Sequence, residues 1–464
     1  MDSLSLRDKF NSLTLESANH WDYRGTNNSE RDYVHGFCTY PAMMVPKMQR
    51  ELLDVCLQET GNSRLTLLDP FAGSGTILVE GMLRGLNVVG LDVNPLAILL
   101  CKVKTSIVDP DELSKHAAAL CSNISTPNSI SLHSFRGIEK WFTERAISDL
   151  SIIRTAILKE NDVRFRRFFW ATFCEIVRLV SNSRDCTYKL HIKEQNDISA
   201  YDKDALLLFR ETLQFNIEKY LSFYNALKNR GYIKKDGISY VGKVTIALCD
   251  SVEYLSHTKQ KYDLVLTSPP YGDNHTTVSY GQYSILPLRW IDSKDIDPSI
   301  DDSLLSTLYE IDNLSLGGKS SQKTITRSRK SVLRRSVTLK KQVDEMAASS
   351  PQKANKVIAF YSDYDHLLRA LSKKMKPGAI SVWTLGNRKV LKQEVLMDRI
   401  MVELSSNYSM ELLTSFTRAI SNKRMPKLNH YAGNGKGLQS TMTREHIQVY
   451  VRSDSNNERS DYTI

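Results

Sequence analysis

The stretch that most narrows the folds open to this chain is Leu65-Thr-Leu-Leu-Asp69-Pro70-Phe71-Ala72-Gly73-Ser74-Gly75-Thr76. An apolar run ends in a carboxylate and a Gly-rich turn, and Ile77 to Leu83 reads on as a helix. A second apolar run, Asn87 to Leu91, then ends in Asp92-Val-Asn94-Pro95. Strand, turn, helix and strand in this order form a βαβ unit and predict an α/β fold around a parallel sheet. Glycine lets a ligand approach the backbone, and a helix N-terminus presents free N–H groups. An acid at the tip of the second strand, here Asp92, stands where such folds bind ribose hydroxyls. The plainer alternative is an ordinary helix-capping Asp92.

The dinucleotide fingerprint needs a third glycine, because the pyrophosphate must come close to the helix. This chain instead places Asp69 at the end of the first strand, with Gly73 and Gly75 alone in the turn. A carboxylate there repels phosphate and attracts an ammonium or a sulfonium. The implied ligand is a nucleoside without phosphates joined to an amino acid. S-adenosylmethionine fits that description better than NAD or ATP.

A second stretch, Tyr262-Asp-Leu-Val-Leu-Thr-Ser268-Pro269-Pro270-Tyr271-Gly272-Asp273, reads as a buried strand stopped by two prolines. The prolines hold the loop stiff, and ligands of open α/β sheets bind at that end of the strands. Acceptor oxygens beside an aromatic ring suit a planar base that bears an amino group. In isolation the same residues are an unremarkable turn leaving a core strand. The polar and aromatic run Gly272 to Tyr283 continues the loop and reads as a cover for a base rather than as core.

Together, Asp69 to Thr76 and Ser268-Pro-Pro-Tyr271 resemble the amino-group DNA methyltransferases of bacterial restriction–modification systems. The resemblance implies an α/β, Rossmann-like S-adenosylmethionine-dependent methyltransferase sheet, carrying here a helical insertion and a basic insertion. Within that family His35 to Pro46 is similar to the extra cofactor motif before the Gly loop, which puts His35, Thr39, Tyr40 and Pro41 beside Asp69, Phe71, Ala72, Gly73, Ser74, Gly75 and Thr76. Asp92 and Asn94 follow, and Asp250 with Ser251 matches the acidic position near the adenine. Lys376-Pro-Gly378 with the strand after it, and Arg444 to Val451, resemble the late strands. The resemblance also implies a duplex DNA substrate with a short specific sequence, a companion restriction endonuclease, and catalysis by Ser268, Pro269, Pro270 and Tyr271 without a metal.

Composition agrees with that partner. The net charge of +10 and pI near 9.0 favour a polyanion. The seven cysteines are scattered and form no CxxC pair, so neither a disulfide framework nor a zinc site is expected. The chain start lacks a signal core and no apolar run approaches membrane length, which predicts a soluble cytoplasmic protein associated with the nucleoid through DNA.

Residues 1–107 are expected to form an N-terminal segment, polar and surface-lying up to about residue 32, and the cofactor half of the core. Residues 108–244 break the sheet pattern with helices read at 137–157, 165–180 and 202–228, and form a candidate target-recognition insertion. Within it Ser181-Asn-Ser-Arg184 is either a helix-terminating loop or a DNA contact. Residues 245–295 complete the core around the catalytic loop. Residues 296–355 form a basic insertion in which Lys323, Arg327, Arg329, Lys330, Arg334 and Arg335 occur with no acid among them. Its composition suits a segment that orders on DNA. Residues 356–454 return to the core, with a helix read at 363–375 and Lys423 and Arg424 in a basic loop, and 455–464 are a tail.

Exocyclic amino nitrogens are poor nucleophiles because their lone pair is delocalised into the ring. Acceptors at Ser268 and Pro269 would localise it, and Tyr271 would stack on a base flipped from the duplex. Cytosine C5 chemistry needs a Pro-Cys nucleophile, and none of the thirteen prolines precedes a cysteine. Ser rather than Asp at position 268 favours cytosine N4, with adenine N6 as the alternative. An RNA methyltransferase and a non-catalytic nucleic-acid-binding subunit are the remaining readings.

Overall fold

Alternation along the strands sets the architecture. Leu67, Leu264, Leu266, Ile380 and Val382 belong to one apolar cluster, and Leu68, Val265 and Trp383 to another, so the sheet is buried on both faces. The computed structural model describes residues 3–15, 20–21, 31–58, 64–126, 131–184, 187–200, 203–273, 277–318, 322–420, 428–430, 438–440 and 443–453. Its main sheet has seven strands: β1 (Thr66–Asp69), β2 (Asn87–Asp92), β3 (Val244–Leu248), β4 (Tyr262–Thr267), β5 (Met375–Leu385), β6 (Met410–Ala419) and β7 (Arg444–Arg452). The order is β3-β2-β1-β4-β5-β7-β6. The first five strands run parallel, and β7 lies antiparallel between β5 and β6. This is the Rossmann-like α/β sheet expected from the sequence.

The helix α1 (Thr76–Met82) leaves the Gly turn and packs closely on the sheet. A Cβ on Gly81 would stand 2.7 Å from Val88 Cγ1 and 2.8 Å from Leu67 Cδ2, so only glycine permits this approach. After β2, α2 (Pro95–Thr105) begins with Asn94 capping Leu96 N and proline at its first turn.

The residues between β2 and β3 are helical, as expected, but they are not a unit apart. Phe168, Phe169, Trp170 and Phe173 of α3 (Val163–Leu179), with Phe209 and Tyr220 of the helix Ala205–Asn229, join the same cluster as Leu67 and Leu264. The helix read at 137–157 is two helices, Ile138–Trp141 and Glu144–Leu158, because Thr143 caps the second by accepting from Ala146 N.

Three expectations are corrected by packing. The polar N-terminus carries a helix, Ser3–Leu15, that buries Leu6 and Phe10 and ties Arg7 Nε to the Leu413 carbonyl of β6 at 2.8 Å. The run after Tyr271 enters the core as α4 (Tyr280–Trp290), in which Gly281, Tyr283 and Ser284 are buried. The basic insertion carries α5 (Gln322–Arg335) and α6 (Val337–Ser349), continued by α7 (Pro351–Ser372), a helix much longer than the 363–375 read from sequence. Val332, Leu339, Val343 and Met346 join the second apolar cluster with Trp383. Their polar neighbours had masked an amphipathic spacing. No helix among the described residues is long and apolar enough to cross a membrane.

Behind α1 lies a buried ionic network. Glu80 is fully buried and meets His35 Nε2 at 3.0 Å, Arg50 Nη2 at 3.0 Å and Arg84 Nη1 at 2.9 Å. Burial alone would push the Glu80 carboxyl up, but the bonds from His35 and Arg50 outweigh it and hold the group down at about 2. Asp32, His35 and Glu80 are close enough to hold a metal ion, yet Arg50 bridges Asp32 and Glu80 and already supplies the positive charge. Replacing Glu80 with Ala leaves two arginines facing a buried gap and is expected to cost about 3 kcal/mol in urea unfolding. Because the folded pKa is depressed, Glu80 stabilises fully above pH 4.5, and that contribution disappears as pH falls through about 2. A Glu80→Gln protein should therefore lose less stability than wild type over that interval.

Candidate active site

The carboxyl ends of β1, β2, β3 and β4 open into one cleft of about 940 Å³, its mouth included. Gly73 and Gly75 turn the chain with φ of +49° and +77°, a conformation that side-chain-bearing residues avoid. Asp92 holds that turn in place. Its Oδ2 accepts from Gly73 N at 2.9 Å and its Oδ1 from Asn94 N at 2.8 Å. Burial raises the Asp92 carboxyl to about 6, against the pull of the Asn94 and Gly73 N–H groups. Ser251 Oγ donates to the Pro70 carbonyl at 2.6 Å, joining the end of β3 to the same loop. Asp250 accepts from Val252 N and Glu253 N as a helix cap while lining the cleft.

Tyr40, Pro41, Phe71, Ala72, Gly73, Ser74, Thr76, Asp92, Asn94, Asp250 and Ser251 all line the cleft, as do Ser268 and Pro270 of the second motif. Thus the two motifs, far apart in the chain, open on one space. Gly75 stands behind the lining, where a Cβ would meet Cys101 Sγ at 3.2 Å.

Other expected residues lie elsewhere. His35 is buried against Glu80, and burial lowers its pKa despite that partner, so it braces α1 from behind. Thr39 turns to Glu175, giving its N–H at 2.9 Å and its hydroxyl at 3.1 Å. Neither touches the cleft. Asp69, expected to face a positive ligand, has no exposed surface. Its Oδ1 accepts from Thr267 Oγ1 at 2.6 Å and from Phe71 N at 3.1 Å. Burial raises the Asp69 carboxyl to about 7, so it acts as a brace between β1 and β4 beneath the loop.

Several lining residues were not anticipated. Met43 and Met44 line the cleft, and Ala42 beside them is held at φ +50°, a strained value of the kind that clusters at functional sites. Tyr280 lines the cleft with its ring 5.8 Å from that of Tyr40. Asn94 Nδ2 donates to Tyr40 Oη at 3.0 Å and to Ser284 Oγ at 2.8 Å, which ties α4 to the cofactor half. Ile311, Leu314 and Leu316, from the segment read as an insertion, form an apolar wall with Phe71, Val252 and Leu367. The only sequence signal for it was a short apolar spacing inside a polar segment.

At the catalytic loop, Ser268 Oγ lies 3.2 Å from the Thr384 carbonyl and 3.3 Å from Tyr271 Oη. The Thr384 carbonyl can take the single Ser268 proton, which leaves Ser268 lone pairs to offer the cleft. Tyr271 does not line the cleft in this arrangement, and its hydroxyl donates to Glu445 Oε1 at 3.0 Å. Asp273 is buried against Arg388, 3.0 Å away on a short hairpin of Arg388–Val390 and Gln393–Val395. Leu391 and Lys392 turn that hairpin with positive φ at both positions, an arrangement not legible without a glycine there.

Among the residues expected to touch DNA, Arg184 is exposed and stands 3.7 Å from Glu194. Arg327, Lys330 and Arg334 lie exposed on α5 at helical spacing, and Arg329 reaches Asp344 at 3.5 Å. Arg335 differs: it turns inward to Asp365 at 2.9 Å and braces α5 on α7. The side chain of Lys323 and the whole of Lys423 and Arg424 lie outside the described residues, as does the tail 455–464. Beside Lys423, residues 428–430 and 438–440 pair as an antiparallel ribbon.

The chain is similar in sequence to known methyltransferases. The family described as RMKL-like, methyltransferase domain matches residues 35–126. The type II methyltransferase M.MvaI of Kocuria varians is 32% identical over 431 residues, 91% of this chain and 91% of its own. The type II methyltransferase M.MjaII of Methanocaldococcus jannaschii is 34% identical over 98 residues, 20% of this chain and 18% of its own. A solved rRNA methyltransferase, aviRa from Streptomyces viridochromogenes, covers 92% of this chain and 93% of its own at 12% identity with a TM-score of 0.31, too loose a superposition to build on.

The cleft electrostatics have a measurable consequence. Below about pH 6 Asp92 is protonated and its attraction for a positive ligand is lost. In calorimetric titrations, affinity for S-adenosylmethionine should rise about tenfold from pH 5 to pH 7. An Asp92→Asn protein should bind weakly with a flat profile, and a wild-type profile equally flat would remove Asp92 from ligand binding.

Proposed function

The chain belongs to the type II methyltransferases, and on that footing we propose that it methylates the exocyclic N4 of cytosine in a short specific sequence of double-stranded DNA, with S-adenosylmethionine as donor, as the modification enzyme of a restriction–modification system. One observation carries the reading. The cleft presents Asp92 and Asp250, no Lys, Arg or His among its described lining residues, and Ser268 in the same space. Such a site attracts a cation and disfavours phosphates. When bound, S-adenosylmethionine supplies a methyl group on a positively charged sulfur.

The chain's own residues do the rest. Asp92 offers its remaining lone pairs to ribose hydroxyls, and Asp250 stands at the mouth of the apolar wall that takes the adenine. Ser268, its proton directed to protein acceptors, receives a hydrogen bond from the target amino group, and the Pro269 carbonyl takes the other hydrogen. Drawing both hydrogens toward acceptors localises the nitrogen lone pair. Tyr271 stacks on the flipped base. Cytosine is favoured because position 268 carries a neutral hydroxyl rather than an ionised carboxylate. The partner endonuclease of the system would recognise the same sequence.

Labelled methyl transfer to unmethylated duplex DNA, followed by nucleoside digestion and mass spectrometry, tests the reading. N4-methylcytosine is the expected product. N6-methyladenine would reassign the base, and a protein inactive on DNA would point to RNA or to a binding-only role. Ser268→Ala should lower kcat about 100-fold while keeping donor affinity, and full activity in that protein would remove the hydroxyl from the mechanism. Arg327, Lys330 and Arg334 give the proposed backbone contacts on α5. Replacing all three with Ala should reduce the slope of log affinity against log salt by about 2 to 3.

A further inference from the structure

Tyr271 leaves the catalytic loop and reaches the first turn of β7, where its hydroxyl donates to Glu445 Oε1 at 3.0 Å. Glu445 stands directly opposite Arg418 in the antiparallel pairing of β6 and β7. The guanidinium holds the other carboxylate oxygen through Nε at 2.8 Å and Nη2 at 2.5 Å. Both side chains are largely buried, 9% exposed for Arg418 and 13% for Glu445, so water competes little for either. A guanidinium gripping one oxygen through two N–H groups holds the carboxylate at this place and leaves Oε1 to accept from Tyr271.

The phenol proton goes to that charged acceptor, which is stronger than the Ser268 hydroxyl 3.3 Å away. Tyr271 can then only accept from Ser268. Burial, with the Glu445 carboxylate beside it, keeps the phenol protonated well above the ordinary range. The phenol therefore has no proton to give Ser268, whose own single proton is left to the Thr384 carbonyl or the Tyr271 oxygen, and the phenol's bond ends on a carboxylate tied to a different strand pair from the one that bears the loop. A purely structural Arg418–Glu445 pair would need no third member.

We infer that Glu445, fixed by Arg418, is a positioning residue for methyl transfer: it pins the Tyr271 ring and, by taking the phenol proton, keeps Tyr271 from donating to Ser268 and occupying a lone pair meant for the amino group. The inference rests on reading Ser268 to Tyr271 as the methyl-transfer loop. It assigns a role to β6 and β7, which otherwise only close the sheet.

The test compares full-length wild type, Tyr271→Phe, Glu445→Gln and the double variant in methyl transfer to unmethylated duplex DNA. Each single change should lower kcat about tenfold with KM for S-adenosylmethionine unchanged, and the double should be no slower than Tyr271→Phe. Glu445→Asp, which keeps an anionic acceptor, should recover part of the rate. Losses that multiply in the double variant, or a Glu445→Gln protein that loses donor affinity and thermal stability in step with rate, would show a role outside the tether and overturn it. Tyr271→Phe removes one oxygen only, so it decides the matter even if Glu445→Gln does not fold: an unchanged kcat would sink the tether. A wild type inactive on DNA would overturn the tether together with the reading it rests on, whereas an active wild type with multiplicative losses would overturn the tether alone.

Discussion

The cleft depends on where Asp92 places its two oxygens. One takes Gly73 N and the other Asn94 N, so a single carboxylate shapes the Gly turn and the start of α2 together. Asn94 in turn reaches Tyr40 and Ser284, which brings the segment before the first motif and the helix after the second into the same frame. Taking a carboxylate out of water is costly, and the two N–H bonds offset only part of that cost, which is why the group stays raised to about 6. A carboxylate that is strained toward protonation in the free protein is well disposed to gain a cation.

The segments that interrupt the sheet are part of what holds it. A sheet buried on both faces needs two apolar layers, and the helices between β2 and β3 supply much of one while α5 to α7 supply much of the other. The same segments reach the site: Ile311, Leu314 and Leu316 wall the cleft, and Asp273 is held by Arg388 from the hairpin after β5. The apolar core and the cleft therefore share residues.

Local patterns were legible where one stretch of chain carries the whole signal. The strand–turn–helix at Leu65 to Leu83, the acid at Asp92 and the stiff loop at Ser268 each announce themselves within a dozen residues, and each is found at the cleft. Failures share a cause. His35 and Thr39 belong to the right motif, but their partners, Glu80 and Glu175, lie on helices that only folding brings near. Arg335 looks like its basic neighbours until Asp365 is seen opposite it. The run Ser279 to Ser284 and the helix Ser3–Leu15 are polar in composition, yet Ser279, Gly281, Tyr283 and Ser284 of the one and Leu6 and Phe10 of the other are buried, because a few side chains at helical spacing are enough to seat a helix.

The sequence by itself determined the sheet, the Gly turn at the end of β1 and the stiff loop that opens on the same cleft, because strand periodicity, proline stiffness and glycine freedom are properties of neighbouring residues. Tertiary structure decided which acid faces the cleft and which is a brace. Asp69 and Asp92 occupy equivalent strand ends, yet Asp69 is sealed beneath Thr267 while Asp92 opens on the cleft. It also decided that Tyr271 answers to Glu445 and Arg418, on strands more than 140 residues further along the chain. Burial and hydrogen-bond partners are properties of the packed molecule, and no local pattern encodes them.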